Sequence, residues 1–189
     1  MRAQPTALPG VLLVEPERHV DARGYFVEAW RQDRYAAAGI DAEFVQDNVS
    51  YSVRGVLRGL HLQHPRGQGK LVSVLRGEVF DVAVDVRRGS PTFGRWAGYT
   101  LSAENARQLY IPPGFAHGFA VTGEDALVAY KVTRYHHPAG DVAVAWDDPD
   151  VGVAWPVHAP TLSDRDRAAP RLRDLPGKRL PAYAAPAGG

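Results

Sequence analysis

The stretch KLVSVLRGEVFDVAVDV, residues 70–86, decides the fold. Every even position from Phe80 to Val86 is apolar, whereas Asp81 and Asp85 fall between them. A period of two is typical of a β-strand. One apolar face beside one polar face indicates a half-buried strand in an antiparallel sheet.

Similar β-rich runs lie on both sides of this strand. Turn-forming residues separate the runs. The runs span residues 70–75 (joined to the strand above through 76–77), 96–101, 108–111, 115–121, 126–135 and 142–146, with turns at 88–91, 112–114, 122–125 and 138–141. Short strands at this spacing favour a sandwich, jelly roll or small barrel over a parallel α/β sheet. One helix is predicted at residues 31–38, where Gly39 ends it.

Length and composition limit the kind of protein. The chain has 189 residues, of which 45% are hydrophobic and 23% charged, and these values are typical of one ordinary globular domain. We expect this domain over residues 1–167, followed by a Pro/Ala-rich tail over residues 168–189. The chain contains no cysteine, which excludes disulfides and thiolate chemistry.

The charge balance predicts no nucleic-acid or membrane partner. Twenty-two basic and 21 acidic residues give a net charge of +1, so any anion site must be local. The longest uncharged stretch, residues 108–123, is interrupted by proline and glycine and is too short to cross a bilayer. The N-terminal residues show no secretory hydrophobic region, and we therefore expect a cytoplasmic protein.

The densest polar cluster is SVRGVLRGLHLQH, residues 52–64. In a regular strand Arg58 and His61 point to opposite faces, but the glycines allow a β-bulge that would re-aim one of them. An inward-facing His61 needs a hydrogen-bond partner, and its ordinary pKa of about 6.5 suits a general base. Asp166 is one of several carboxylates that could orient it. The alternative is a solvated edge strand with one structural histidine.

A metal centre is a rival interpretation of the histidines. His61, His64 and His117 could together hold iron, manganese or zinc. However, a regular strand sends His61 and His64, three positions apart, to opposite faces. Lys70 stands where a carboxylate ligand would be expected, and its charge would repel a metal ion.

Other polar residues each have a structural and a functional interpretation. Lys70 is either a lysine that keeps its ammonium at the surface or a fixed charge for a developing oxyanion. Tyr130 is either a core aromatic or a general acid. Arg23 is an ordinary loop charge or, with Arg58, a clamp for a diphosphate. The amides in residues 46–48 form a turn or bind the edge of a pyrimidine.

An ordered series of motifs runs through the chain. The motifs are DARGYFVE (21–28), FVQDN (44–48), VLRGLH (56–61), GKLV (69–72), GEVFDVAVD (77–85), SPTFG (90–94), LSAEN (101–105), IPPGFAHGF (111–119) and YK (130–131). Over about residues 8–170 this series resembles the dTDP-4-dehydrorhamnose 3,5-epimerase family.

The resemblance implies a fold and an activity. The fold would be all-β, a cupin-type jelly-roll sandwich or barrel with a few short helices. The enzyme would invert C3 and C5 of dTDP-4-keto-6-deoxy-D-glucose and give dTDP-4-keto-L-rhamnose. It would need neither a metal nor another cofactor, and it would be a homodimer.

The resemblance also implies roles for single residues. His61 corresponds to the family's catalytic base, Asp166 to its carboxylate partner and Tyr130 to its general acid, with Lys70 near the oxyanion. Substrate binding falls to a larger set, namely Arg23, Phe26, Glu28, Gln46, Asn48, Arg58, His117, Asp141 and Arg165.

The chain departs from the usual family pattern at three places. Tyr135-His136 replaces a tandem aromatic pair, Asp141 replaces a frequent glutamate, and Arg165 replaces a frequent lysine. These departures leave open an epimerase that inverts only C3 or only C5. Two other classes also stay open: a metal-dependent cupin oxygenase or isomerase, and a binding module without catalysis.

Overall fold

The fold consists mainly of β-strands, and the structure, a computed structural model, describes residues 1–185. The strands of this range are β1 (Arg2–Pro5), β2 (Leu12–Glu15), β3 (Arg18–Asp21), β4 (Gly24–Val27), β5 (Gln46–Val53), β6 (Leu57–Gln63), β7 (Lys70–Asp85), β8 (Trp96–Ser102), β9 (Gln108–Ile111), β10 (Phe115–Val132) and β11 (Asp141–Ala143). Its helices are α1 (Gln32–Ala37) and α2 (Asp164–Arg167), with 3₁₀ turns at Pro138–Gly140, Leu172–Asp174 and Gly177–Arg179.

Two long strands organise the main sheet, which contains nine of the described strands. Seven of them follow the order β1-β2-β9-β7-β10-β6-β11, while β5 pairs with β10 and β8 pairs with β7 beside this path. The first part of β7 pairs with β9 and the second part with β8. Similarly, β10 pairs with β6 through its first part and with β5 through its second. The separate hairpin of β3 and β4 completes an antiparallel arrangement. This architecture confirms the predicted all-β jelly-roll class with a few short helices.

The predicted half-buried character of β7 is wrong, because its second half is buried on both faces. Val79 and Ala83 belong to one apolar core, whereas Val82 and Val84 belong to a second core on the opposite face. Asp85 is fully buried. Its carboxylate accepts hydrogen bonds from a guanidinium and two hydroxyls, those of Arg87, Ser90 and Thr92. These donors compensate for the lost hydration, so the strand tolerates the inward-facing acid.

Two predicted breaks between strands are irregularities inside continuous strands. The junction at residues 76–77 lies within β7, and the predicted turn at residues 122–125 lies within β10. The register between the two strands shifts between Val121 and Ala126, which is a bulge. Gly77 has a φ of +73° at this point, and an added side chain would collide with a neighbouring backbone carbonyl. A glycine therefore permits the bulge without ending the strand.

The helix α1 confirms the prediction for residues 31–38. It spans Gln32–Ala37, with Arg31 and Ala38 as its flanking residues. Gly39 follows with a φ of +94°, and its N–H donates to a carbonyl in the last turn. A positive φ after the last turn favours glycine and ends the helix.

The C-terminal segment packs against the second core. Leu172 and Leu180 are buried there, and backbone hydrogen bonds join Arg88 to Pro181 and Tyr183. The predicted tail begins at residue 168, and its last residues, 186–189, lie outside the described residues. The domain boundary at residue 167 stays a prediction. Within residues 1–185, no helix has the length and apolar character needed to cross a membrane.

Candidate active site

A cavity of about 420 Å³ lies between β5, β6, β7, β10 and the segment that leads into α2. Its volume is in the range of small-molecule pockets. The cavity gathers seven of the thirteen predicted site residues, namely Arg58, His61, Lys70, His117, Tyr130, Arg165 and Asp166. Because these residues are far apart in sequence, their convergence is a property of the fold.

A bulge in β6 brings Arg58 and His61 into this one cavity. His61 is opposite His117, and Arg58 is opposite Phe119, so three steps along β6 match two steps along β10. Gly59 has a φ of +134°, and an added Cβ would lie 2.5 Å from the Cα of Gly118. The close approach requires glycine on both strands. The prediction that a glycine-dependent bulge re-aims one of the two side chains is confirmed.

His61 and Asp166 form a hydrogen-bonded pair at the cavity wall. The distance from His61 Nε2 to Asp166 Oδ1 is 2.5 Å. Helix α2 holds Asp166, whose backbone N–H donates to Oγ of the N-cap residue Ser163. Burial acts to raise the pKa of Asp166, but the hydrogen bonds from His61, Ser163 and Gly59 hold it below its usual range. An ionised carboxylate thus engages one ring nitrogen and orients the imidazole.

A second polar chain joins Lys70, His117 and Asp81. Lys70 Nζ lies 3.4 Å from His117 Nδ1, and His117 Nε2 lies 2.9 Å from Asp81 Oδ2. Burial holds the pKa of His117 below its usual value, and the nearby charge of Lys70 acts in the same direction. The carboxylate of Asp81 acts to raise this pKa but does not outweigh burial. A neutral imidazole accepts from the ammonium at Nδ1 and donates its Nε2 hydrogen to the carboxylate.

The ammonium of Lys70 is itself perturbed. Burial lowers its pKa to about 8, although Asp81 and Asp141 act in the opposite direction. The side chain is half-buried at the start of β7. At neutral pH it therefore remains a cation in the cavity wall, where a partly desolvated charge interacts strongly with a developing negative charge.

Tyr130 lines the cavity as a protonated phenol. Burial raises the pKa of Tyr130, while the nearby Arg58 acts to lower it. The ring packs against the first core, which holds it in place. Arg58 donates from Nε to Ser52 Oγ at 2.9 Å and from Nη2 to the carbonyl of Tyr51. The cavity thus contains a proton donor and a fixed guanidinium.

A smaller cavity of about 160 Å³ adjoins the first one and shares four residues with it, namely His61, Lys70, Tyr130 and Arg165. Asp141, predicted to bind substrate, lines this smaller cavity. Its Oδ2 lies 3.2 Å from Arg165 Nη1 and 3.6 Å from His136 Nε2. The three sequence departures thus form one cluster at the edge of the candidate site.

Five predicted residues line neither of these two cavities. Arg23 pairs with Asp21 on the exposed hairpin of β3 and β4, and Phe26 is exposed there. Glu28 pairs with Arg34 at 3.0 Å. Gln46 donates a hydrogen bond to Asn48 at 2.8 Å, and Asn48 lines a neighbouring apolar cavity together with Tyr130. Within this chain, Arg23 and Arg58 form no diphosphate clamp.

The three histidines considered for a metal centre are not assembled. His61 and His117 line the main cavity, but His64 lines a different one. Across residues 1–185 there is no group of three or more His, Cys, Asp or Glu in a metal-holding arrangement.

Asp81 is the site residue that the sequence interpretation missed. The period of two predicts this residue on the polar face of β7, but it is fully buried beside His117. The signal was available, because residues 79–86 are almost continuously apolar. Such a run indicates a strand covered on both faces, and an acid inside it needs a partner.

Comparisons with known proteins agree with this geometry. A family model described as dTDP-4-dehydrorhamnose 3,5-epimerase matches residues 5–174. The protein of that name from Methanothermobacter thermautotrophicus is 49% identical over 174 residues, covering 90% of this chain and 94% of the relative. A dTDP-4-dehydrorhamnose 3-epimerase from Streptomyces niveus is 40% identical, covering 97% and 90%.

A solved structure is similar over almost the whole chain. It is the dTDP-6-deoxy-D-glucose-3,5-epimerase from Legionella pneumophila in complex with dTDP-4-keto-L-rhamnose. It is 48% identical, with a TM-score of 0.95, and the match covers 97% of this chain and 99% of that one.

Proposed function

The chain belongs to the dTDP-4-dehydrorhamnose 3,5-epimerase family, and on this premise we propose that it inverts C3 and C5 of dTDP-4-keto-6-deoxy-D-glucose to give dTDP-4-keto-L-rhamnose. The observation that carries the proposal is one cavity lined by the His61–Asp166 pair, Lys70 and Tyr130. These residues supply a base, a cation and an acid, which are the groups that the reaction needs.

The chemistry follows from the ketone at C4. Loss of the proton from C3 or C5 gives an enolate whose charge rests on the C4 oxygen. His61 takes the proton, and the carboxylate of Asp166 stabilises the imidazolium that forms. The ammonium of Lys70 stabilises the oxyanion. Tyr130 returns a proton from the other face of the ring, which inverts the carbon.

Remote contacts orient the sugar. Arg58 binds the diphosphate, for which a guanidinium is suited. The amides of Gln46 and Asn48 recognise the pyrimidine, while Asp141 and Arg165 contact the sugar. Binding energy distant from the reacting carbon then fixes its position between base and acid.

A restricted epimerase is the second candidate. The relative from Streptomyces niveus is named as a 3-epimerase, and the cluster of His136, Asp141 and Arg165 lies at the edge of the same site. Altered contacts there would change which carbon faces His61.

Deuterium exchange tests these functions. The protein is incubated with the 4-keto sugar nucleotide in D₂O, and NMR follows label at C3 and C5. Label at both carbons, with formation of dTDP-4-keto-L-rhamnose, is the expected result. Label at one carbon identifies the restricted epimerase. Binding of dTDP without any label identifies a binding module and overturns the proposal.

The role of Tyr130 has its own readout. Tyr130→Phe removes the acid but leaves His61, so inversion slows more than exchange of the substrate proton. Tyr99→Phe, which alters a half-buried tyrosine on β8 that also packs against the first core, is the matched control and leaves both rates unchanged. Equal slowing of inversion and exchange in Tyr130→Phe would place the acid elsewhere.

The proposal includes a metal-independent enzyme. Exhaustive treatment with a chelator is expected to leave the exchange rate unchanged. Loss of exchange that returns on adding a divalent ion would favour the metal-dependent class instead.

We also propose a homodimer in the cytoplasm. Strand β5 exposes Val49, Tyr51 and Val53 on one face, and the nearby hairpin exposes Val20 and Phe26. Exposed apolar side chains grouped on a strand face are covered in many proteins by a second copy. Light scattering after size exclusion tests the dimer. The lack of cysteine is compatible with a reducing compartment.

A further inference from the structure

A separate cavity of about 570 Å³ lies near one end of the strands. It is bordered by the loop after β6, the ends of β7 and β10, and the C-terminal residues Pro181 and Ala182. Its charged or titratable lining residues are all basic, namely His64, Arg66, Arg87 and Arg134. No aspartate or glutamate lines it.

One of the three guanidiniums is neutralised, whereas the other two, those of the exposed Arg66 and Arg134, are not. Arg87 pairs with the buried Asp85 at 2.7 Å. In residues 1–185, neither Arg66 nor Arg134 has a carboxylate within ion-pair distance. The whole chain carries a net charge of only +1, so this positive charge is a local concentration. Like charges that share one cavity repel each other, and a bound anion would relieve the repulsion.

Two further arginines add to the positive charge. Arg88 Nε donates to the carbonyl of Leu180, and Arg179 Nη2 donates to the carbonyl of Asp141. Burial and the charges of these two arginines lower the pKa of His64. The hydrogen bonds of Arg88 and Arg179 go to neutral carbonyls, so they leave the charge of the two guanidiniums uncompensated.

Gln63 supplies an independent sign of a missing acceptor. Its side chain is 7% exposed and lines the cavity. Its Oε1 accepts the backbone N–H of His137 at 2.7 Å. Its Nε2 is buried and has no hydrogen-bond partner among the described residues. A buried donor without an acceptor is unfavourable. Gln63 also lines the smaller cavity beside the epimerase site, so its orphaned amide is shared between the two cavities, and the basic side chains are what assign an anion to this one.

We propose that this cavity binds the phosphate or diphosphate group of a small molecule, at a site separate from the epimerase cavity. Phosphate oxygens match the planar donor fork of arginine, and the volume admits a ligand larger than phosphate alone. The main epimerase cavity shares none of its lining residues with this one. A bound anion would hold the loop containing Arg66 against residues 181–182.

The test uses the full chain with inorganic phosphate and diphosphate as probes. Calorimetry measures affinity at constant ionic strength, and NMR follows the His64 titration. The expected results are saturable binding and a higher pKa of His64. The double variant Arg66→Gln, Arg134→Gln is expected to bind about 100-fold more weakly, at about tenfold for each lost charged hydrogen bond. Arg95→Gln, at an exposed arginine beside another cavity, is the matched control.

Three outcomes would overturn the proposal. One is an equal effect of chloride at the same ionic strength, which indicates general screening. Another is unchanged affinity in the double variant. The third is displacement of phosphate from this cavity by dTDP, which would make it part of the substrate site. Because neither substituted arginine belongs to the epimerase machinery, the deuterium exchange result is independent of all three.

Discussion

The molecule contains two His–Asp pairs that face each other across β6 and β10 but differ in their surroundings. His61 and His117 are register partners on these strands. His61 is 32% exposed beside Asp166, whereas His117 is 8% exposed beside a fully buried Asp81. The same two residue types thus occur in one open and one closed environment.

The number of engaged ring nitrogens separates the two pairs. In His117 one nitrogen meets Asp81 and the other meets Lys70. In His61 the carboxylate of Asp166 engages one nitrogen, and the other has no partner among the described residues. A base needs a free nitrogen and access to substrate. We infer that the open pair exchanges protons, while the closed pair positions the ammonium of Lys70.

The largest effect is expected from His61→Ala. Removal of the base lowers the rate of deuterium exchange by about 10²–10⁴-fold. His158→Ala, which alters an exposed histidine on the C-terminal segment, is the control and leaves the rate unchanged. NMR in D₂O measures both. An exchange rate in His61→Ala equal to that of the unaltered protein would show that another group is the base.

Lys70→Met is expected to have the next largest effect. Loss of one charged donor at an oxyanion lowers kcat by about 10²–10³-fold. In the unaltered protein the cation is lost above a pKa of about 8, so kcat/KM falls as the pH rises through 8. A pH–rate profile measures this alkaline limb, which is absent in Lys70→Met. The control Lys178→Met, at an exposed position, retains the alkaline limb. If the limb persisted in Lys70→Met, the titrating group would be a different residue.

Asp81→Asn acts on the closed pair and has a smaller effect on rate. The carboxylate acts to raise the pKa of Lys70, so its removal lowers that pKa and moves the alkaline limb below pH 8. Loss of the charged hydrogen bond to His117 destabilises the fold by about 1–3 kcal/mol. Urea unfolding and the pH–rate profile measure the two effects. The exposed Asp174→Asn serves as control, and an unmoved limb in Asp81→Asn would rule out electrostatic support of Lys70.

The strand pattern was sufficient to predict the fold class and much of the site. Alternation in residues 80–86 predicted a strand, and the glycines around Arg58 predicted a bulge that the structure contains. The pairing of His61 with Asp166 could not come from local pattern, because 105 positions separate them. It followed from the motif resemblance, which carries long-range information that a period of two lacks.

The failures of the sequence interpretation have one physical cause. A period of two gives the face on which a side chain lies but not what covers that face. For this reason Asp81 was assigned to a polar surface, although the sheet and the C-terminal segment bury β7 on both sides. The separation of Arg23 from the main cavity has a similar origin, since a hairpin sequence does not specify where the hairpin docks.

The smallest expected effect concerns the open pair and is a change in how the free energy of unfolding depends on pH in the acid range. The pKa of Asp166 is held below the ordinary value of 3.8 for this side chain. The unfolded chain therefore binds this proton first as the pH falls, so the stabilisation is present above 3.8 and is lost as the pH falls through the folded pKa. Asp166→Asn lacks this contribution. The difference in unfolding free energy between the unaltered protein and the variant should thus narrow in urea titrations as the pH falls through 3.8 and below. Because every other carboxylate is common to both proteins, the difference isolates Asp166.

The control is Asp164→Asn, an exposed substitution on the same helix, for which no comparable narrowing is expected. A difference in unfolding free energy that stayed constant with pH for Asp166→Asn would mean that the carboxylate is not stabilised by its pairing with His61.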